Sequence, residues 1–150
     1  MSTRVSYCTF DLGEQRFGIE VGAVREIVRD QAVTRVPLAP PAVTGLVNLR
    51  GRIVSAVDLR RCFGLEGVRP GRAGTLVVLR ESLGDVSFIV DEIRDVCDVD
   101  PESFESTPPT VKAIGHELVR GAHKLSDRLL LVLDVARTLE AASATRSENP

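Results

Sequence analysis

Along the chain, apolar side chains recur mostly with a period of two. Cys8, Phe10 and Leu12 alternate with polar neighbours, Gly13 opens a turn, and Phe17, Ile19 and Val21 resume the alternation. That pattern predicts a β-hairpin with one buried face, because successive strand side chains point to opposite sides. Leu76 to Leu79, a turn around Gly84 and Phe88 to Val90 predict a second such hairpin. A third runs from Gly45 to Leu49, turns at Arg50-Gly51 and returns from Ile53 to Val57. A fourth runs from Val119 to Leu125, turns at Ser126-Asp127 and returns from Leu129 to Leu133. Helical patterns are confined to Leu59 to Phe63 and Val135 to Ala142. Each follows an aspartate, Asp58 or Asp134, in place to accept from the first unpaired backbone N–H groups.

The same order of elements appears twice. Writing Val43 to Arg61 above Val119 to Arg137 sets Gly45 on Gly121, Leu49 on Leu125, Arg52 on Arg128, Val57 on Leu133 and Asp58 on Asp134, without a gap. Upstream, Gly13, Phe17, Ile19 and Glu20 fall on Gly84, Phe88, Val90 and Asp91. After a short skip, Val24-Arg25-Glu26-Ile27 falls on Ile93-Arg94-Asp95-Val96. Self-similarity of this kind signals duplicated structural units. Between the hairpins, Val33-Thr34-Arg35-Val36-Pro37 with Pro40-Pro41, and Thr107-Pro108-Pro109 later, read as extended connections, since proline has no N–H for a ladder. The expected fold class is all-β: two pseudo-symmetric small β-barrel subdomains of about five strands each, with short connecting helices and a C-terminal helix. The expected organisation is one domain over residues 1–142, built from units at about 5–67 and 75–142 that are free to exchange strands. Val68 to Gly74 form the expected boundary, and residues 143–150 a disordered tail.

Composition narrows the function classes. With 150 residues, 43% apolar and 27% charged, the chain is expected to fold as one globular domain that buries about 68–70% of its unfolded surface. Nineteen basic against 21 acidic residues, with no basic cluster, argue against a nucleic-acid partner. The longest apolar run, Leu129 to Leu133, is far short of the about 20 residues that span a bilayer, so neither membrane insertion nor export is expected. Cys8, Cys62 and Cys97 are odd in number and widely spaced, which fits reduced, mostly buried cytosolic thiols and neither a disulfide framework nor a zinc site. His116 and His123 lack a cysteine or carboxylate at ligand spacing and are expected on the surface or in loops. No metal and no cofactor are expected.

Nothing in the pattern reads as catalytic. There is no Gly-rich phosphate loop, nucleophile elbow or His-Glu-x-x-His. Asp58 and Asp134 occupy equivalent places in the two copies, so capping explains both better than acid–base pairing. Asp91 and Glu92, adjacent in an expected strand, should face opposite ways. The duplication points elsewhere, to Arg50 and Asn48, which become Ser126 and Lys124 in the second copy. Leu46, Val47 and Leu49, with Ile53, Val54, Ala56 and Val57, also give the third hairpin two apolar faces, so something must cover the second one: the other unit, a short helix or a partner protein.

Taken in order, Phe10-x-Leu12-Gly13, Phe17-Gly18-Ile19, Val24-Arg25-Glu26-Ile27, Val36-Pro37, Gly45-Leu46-Val47-Asn48-Leu49-Arg50-Gly51-x-Ile53-Val54, Val57-Asp58-Leu59 and Val90-Asp91-x-Ile93 resemble the CheW family of chemotaxis coupling proteins, from Val5 to Leu139. Ser55 departs from the proline common there. The resemblance implies a non-enzymatic cytoplasmic adaptor that joins the cytoplasmic tips of chemoreceptors to the regulatory domain of a CheA-type histidine kinase. It implies a receptor-binding set of Val24, Glu26, Ile27, Val28, Val33, Val36, Asn48, Arg50, Ile93 and Val96, with the aliphatic members lining a groove between the units. It also implies a kinase-binding set of Thr44, Leu46 and Ile53. Two rival readings are the same module in an array that controls pili, development or a second messenger, and a small β-barrel enzyme, which would need convergent polar groups in the cleft.

Overall fold

The computed structural model describes residues 4–36, 42–65, 74–106 and 117–144. Pro37, Pro40, Pro41, Pro108, Pro109, His116, most of the expected boundary and the tail from residue 145 lie outside the described residues. The strands are β1 (Val5–Leu12), β2 (Gln15–Glu20), β3 (Val24–Gln31), β4 (Thr34–Arg35), β5 (Val43–Leu49), β6 (Arg52–Asp58), β7 (Gly74–Leu79), β8 (Val86–Val90), β9 (Glu92–Val99), β10 (Phe104–Glu105), β11 (Val119–Lys124) and β12 (Leu129–Leu133). The helices are α1 (Leu59–Cys62) and α2 (Val135–Ala144), and Val21–Ala23, Glu81–Leu83 and Pro101–Ser103 form single 3₁₀ turns.

Two six-stranded sheets result. One runs β10-β11-β12-β2-β1-β9 and the other β3-β7-β8-β6-β5-β4. Reversing the second gives β4-β5-β6-β8-β7-β3, which matches the first strand for strand once the two halves of the chain are overlaid. Each sheet therefore takes one hairpin from the opposite half: β1-β2 joins β9 to β12, and β7-β8 joins β3 to β6. The junctions are the parallel pairs β12-β2 and β6-β8. Each sheet has a sixth strand, two residues long, beyond the five expected. Among the described residues no ladder joins the outermost strands of either sheet.

Local details repeat with the topology. A bulge separates Val43 from Gly45 in β5 and Val119 from Gly121 in β11. A Cβ on Gly45 would lie 1.9 Å from the Thr34 carbonyl oxygen, and one on Gly121 would lie 2.3 Å from the Phe104 ring. Only glycine lets the two short strands dock. Asp58 accepts from the Arg60 N–H at 3.0 Å and Asp134 from the Arg137 N–H at 3.0 Å, so both cap helices.

Three apolar clusters explain the nearly continuous hydrophobic runs. Phe10, Phe17, Val57, Val77, Phe88, Leu131 and Leu133 belong to a core shared by both sheets, joined by Leu59 of α1 and Ala142 of α2. Val47, Leu49, Val54, Ala56, Leu76, Val78 and Ile89 pack on the other face of the second sheet, and Tyr7, Val99, Leu130 and Val132 on that of the first. Strands buried on both faces cannot show strict alternation.

Three expectations are corrected. His123 is not on the surface: it lies in β11, 1% exposed, between the Ser103 hydroxyl at 2.7 Å and the Tyr7 hydroxyl at 3.5 Å. Strand parity after the bulge turns it inward, at the position that Val47 fills in the other half. The three cysteines are half-buried rather than buried. Asp91 is in the bend between β8 and β9, where it accepts from the Gly13 N–H and from Arg60.

Candidate functional site

The β5-β6 turn holds Arg50, which with Asp30 is one of the two non-glycine residues with positive φ among the described residues. Leu49 pairs with Arg52, leaving Arg50 and Gly51 as a two-residue loop with φ of 52° and 85°. Two successive left-handed residues make a type I′ turn, which suits the twist of a hairpin but disfavours a side chain such as arginine. Asn48 supports the turn, its Oδ1 accepting from the Gly51 N–H at 2.9 Å. The Arg50 guanidinium reaches the Glu26 carboxylate of β3 while its side chain stays 71% exposed. The conformation is costly for a non-glycine residue and aims a charged group outward.

Arg50 ends a chain of ion pairs. Glu26 lies 3.8 Å from Arg25, Arg25 bonds Glu81 at 2.6 Å, and Arg52 bonds both Glu81 and Asp85. Each such exposed pair contributes about 0–1 kcal/mol. Together these six side chains rim a cavity of about 270 Å³ whose floor is Leu49, Val54, Val78, Leu79 and Val86. Arg25 and Arg52 recur in the duplication, as Arg94 and Arg128, but Glu81 and Asp85 carry no sequence signal, and turns and exposed strand positions have no periodicity to betray the cluster.

Bulges decide which apolar residues share a surface. Val24 pairs with Leu79 and Ile27 with Val77, with a register shift between Val24 and Glu26, so two residues three apart face the shared core together. In the same way Ile93 pairs with Phe10 and Val96 with Cys8, with the extra residue of the shift in β9. Val24, Ile27 and Ile93 are half-buried against the shared core, and Val96 is 60% exposed. Val28 and Val33 pack instead on the opposite face of the second sheet. They do not share a surface with Val24 and Ile27.

A second face is formed by the hairpin itself. Leu46 pairs with Ser55 and Asn48 with Ile53, so these four side chains point the same way, beside Thr34 opposite Leu46. Ile53 is 51% exposed and Leu46 half-buried; Thr44 is half-buried, and Val36, just beyond β4, is 37% exposed.

Reactive chemistry has no comparable focus. Burial raises the Cys8 thiol pKa, and burial with the nearby Asp58 charge pushes that of Cys62 up to about 11, so neither is a ready nucleophile. Among the described residues no group of His, Cys, Asp and Glu is arranged to hold a metal ion, and no helix is long and apolar enough to cross a membrane.

The family model of the CheW-like domain matches residues 6–143. The chain belongs to the CheW-like family. Among its CheW relatives, chemotaxis protein CheW of Treponema pallidum is 31% identical over 145 residues, covering 94% of this chain and 85% of that one. CheW of Bacillus subtilis is 29% identical over 135 residues, covering 90% and 86%. In structure, the chain is similar to the scaffolding protein TtCheW from Thermoanaerobacter tengcongensis, with a TM-score of 0.76, 27% identity and coverage of 87% and 89%. That scaffold's fold is the one described above: mostly β, in two sheets, with few helices.

Proposed function

We propose that this chain is a chemotaxis coupling adaptor, which binds the cytoplasmic tip of a chemoreceptor and the regulatory domain of a CheA-type histidine kinase and holds them in fixed geometry. It acts by binding energy alone, with no bond chemistry, metal or cofactor, in the cytoplasm at membrane-associated arrays. The observation that carries this reading is Arg50, exposed and in left-handed backbone, at the tip of a hairpin whose Leu46 and Ile53 face is uncovered where its duplicate is packed in the core. Membership of the CheW-like family and likeness to a scaffolding protein support the same role.

On this reading the receptor side comprises Val24, Glu26, Ile27, Asn48, Arg50, Ile93 and Val96, with Asn48 acting through the turn it shapes. Thr44, Leu46 and Ile53 form the kinase side; Val36, expected with the receptor set, follows β4, whose Thr34 pairs with Leu46, and borders these residues instead. Val28 and Val33 contribute through the packing of the second sheet. Residues 1–142 act as one module of two duplicated units. The test is capture of receptor-tip fragments and kinase regulatory domains from the same genome on immobilised protein; recovery of neither overturns the reading. The same module in an array controlling pili or second messengers would bind kinases and receptors of that pathway in the same assay.

A further inference from the structure

The two sheets differ at one end in a way that the duplication makes visible. Leu79 pairs with Val24 and Phe10 with Ile93, so the residues that follow, Arg80 and Asp11, are structural equivalents. In the first sheet Asp11 is 8% exposed and gripped by Arg16 at 2.8 Å and Arg94 at 2.7 Å. In the second sheet Arg80 instead donates to the Gly22 carbonyl at 3.0 Å, and the cavity of about 270 Å³ lies beside it. A cavity of about 150 Å³ already admits a benzene ring, so this one has room for a large side chain.

The rim decides what kind. Arg25, Arg50 and Arg52 are matched by Glu26, Glu81 and Asp85, and every one of them is paired within the set. A charged group would have to break these pairs to enter. An uncharged apolar one leaves the pairs intact and meets only Leu49, Val54, Val78, Leu79 and the half-buried Val86, the first four of which are at most 9% exposed.

We infer that this cavity receives one aromatic or large aliphatic side chain from the receptor tip, and that Glu81 and Asp85 hold Arg25 and Arg52 clear of the opening. The inference rests on the coupling reading, because it takes the occupant from the partner that docks over Arg50 and Glu26. The probe is a receptor hairpin-tip fragment titrated into protein labelled at valine and leucine methyls. The Val54, Val78 and Val86 methyl resonances should shift and saturate together with binding. Val86→Phe, which fills the cavity from its half-buried wall, should bind the fragment about tenfold more weakly or worse and bind the kinase regulatory domain normally. Should that variant fail to fold, the wild-type methyl titration still decides. Tight fragment binding with unmoved cavity methyls overturns the inference alone, as does wild-type affinity in folded Val86→Phe. Absence of any binding to receptor tips overturns the coupling reading and this inference with it.

Discussion

Leu131 and Ser55 are equivalent residues of the two second hairpins, yet Leu131 is 1% exposed in the shared core and Ser55 is only half-buried. Their neighbours differ likewise. Leu129 is half-buried against that core where Ile53 is 51% exposed, and Ala122 is buried where Leu46 is half-buried. The ten-residue α2 adds Val135, Leu139 and Ala142 to the core after β12, whereas α1, after β6, is four residues long. One hairpin is committed to internal packing; its duplicate presents the same face to solvent and still carries apolar side chains there. An uncovered apolar face with a covered duplicate fits the kinase side proposed above.

The comparison breaks most sharply at the buried member. Leu131→Ser should destabilise the fold by about 3–5 kcal/mol, through a cavity and a buried hydroxyl, while the reciprocal Ser55→Leu should stay within about 1 kcal/mol of wild type. Denaturant midpoints of both variants measure this. Equal destabilisation would mean that both faces are core.

Ile53→Asp addresses the exposed member. Folding should change by less than about 1 kcal/mol while binding of the kinase regulatory domain weakens by about 2–4 kcal/mol in a titration. Normal kinase binding by a folded variant would remove this face from the kinase side.

The two turns are less alike than their spacing suggests. Ser126 and Asp127 replace Arg50 and Gly51, but among the described residues the non-glycine positions with positive φ are Asp30 and Arg50. Ser126 is thus no test of what the Arg50 position tolerates. Asparagine is the suitable replacement, because it accepts left-handed backbone. Arg50→Asn should raise stability by about 0.5–1 kcal/mol and lower receptor-tip affinity by about 1.5–3 kcal/mol, opposite signs that a merely solvated arginine would not produce. Both can be measured on one sample.

The smallest effect is the response to acid. Burial lowers the His123 pKa below its usual value. The unfolded chain therefore takes up the proton first, and stability should fall as pH drops below about 6.5. His123→Val, which installs the residue type of position 47, should flatten the curve there. Burial opposes ionisation of Asp11, but hydrogen bonds and charge from Arg16 and Arg94 outweigh it and lower its pKa. Its contribution is present above about pH 4 and lost as pH falls further, so a second decline should remain in the variant.

How far the sequence could be read follows from these residues. The duplication, the hairpins and the capping aspartates were legible because each depends on local spacing. Exchange of hairpins between the sheets has no local signature, since β2 meets β12 through contacts far apart in the chain. Ordinary alternation sends Val28 to the face opposite Ile27, whereas the bulge between Val24 and Glu26 is what lets Val24 and Ile27 share a face, and nothing in an aliphatic run records where parity breaks. The asymmetry of the copies singles out Arg50, but its left-handed backbone and its tie to Glu26 leave no mark in the sequence. His123 looked like a loop histidine because the partners that satisfy it, Ser103 and Tyr7, lie far away in sequence.

Two separate surfaces for two partners are the core of the proposed function. Its most direct test is sedimentation analysis of the chain mixed with a receptor-tip fragment and a kinase regulatory domain. A ternary complex should form, lose only the kinase domain with Ile53→Asp, and lose only the receptor fragment with Val96→Asp. Competition between the two partners for one site, or binding of neither, would contradict it.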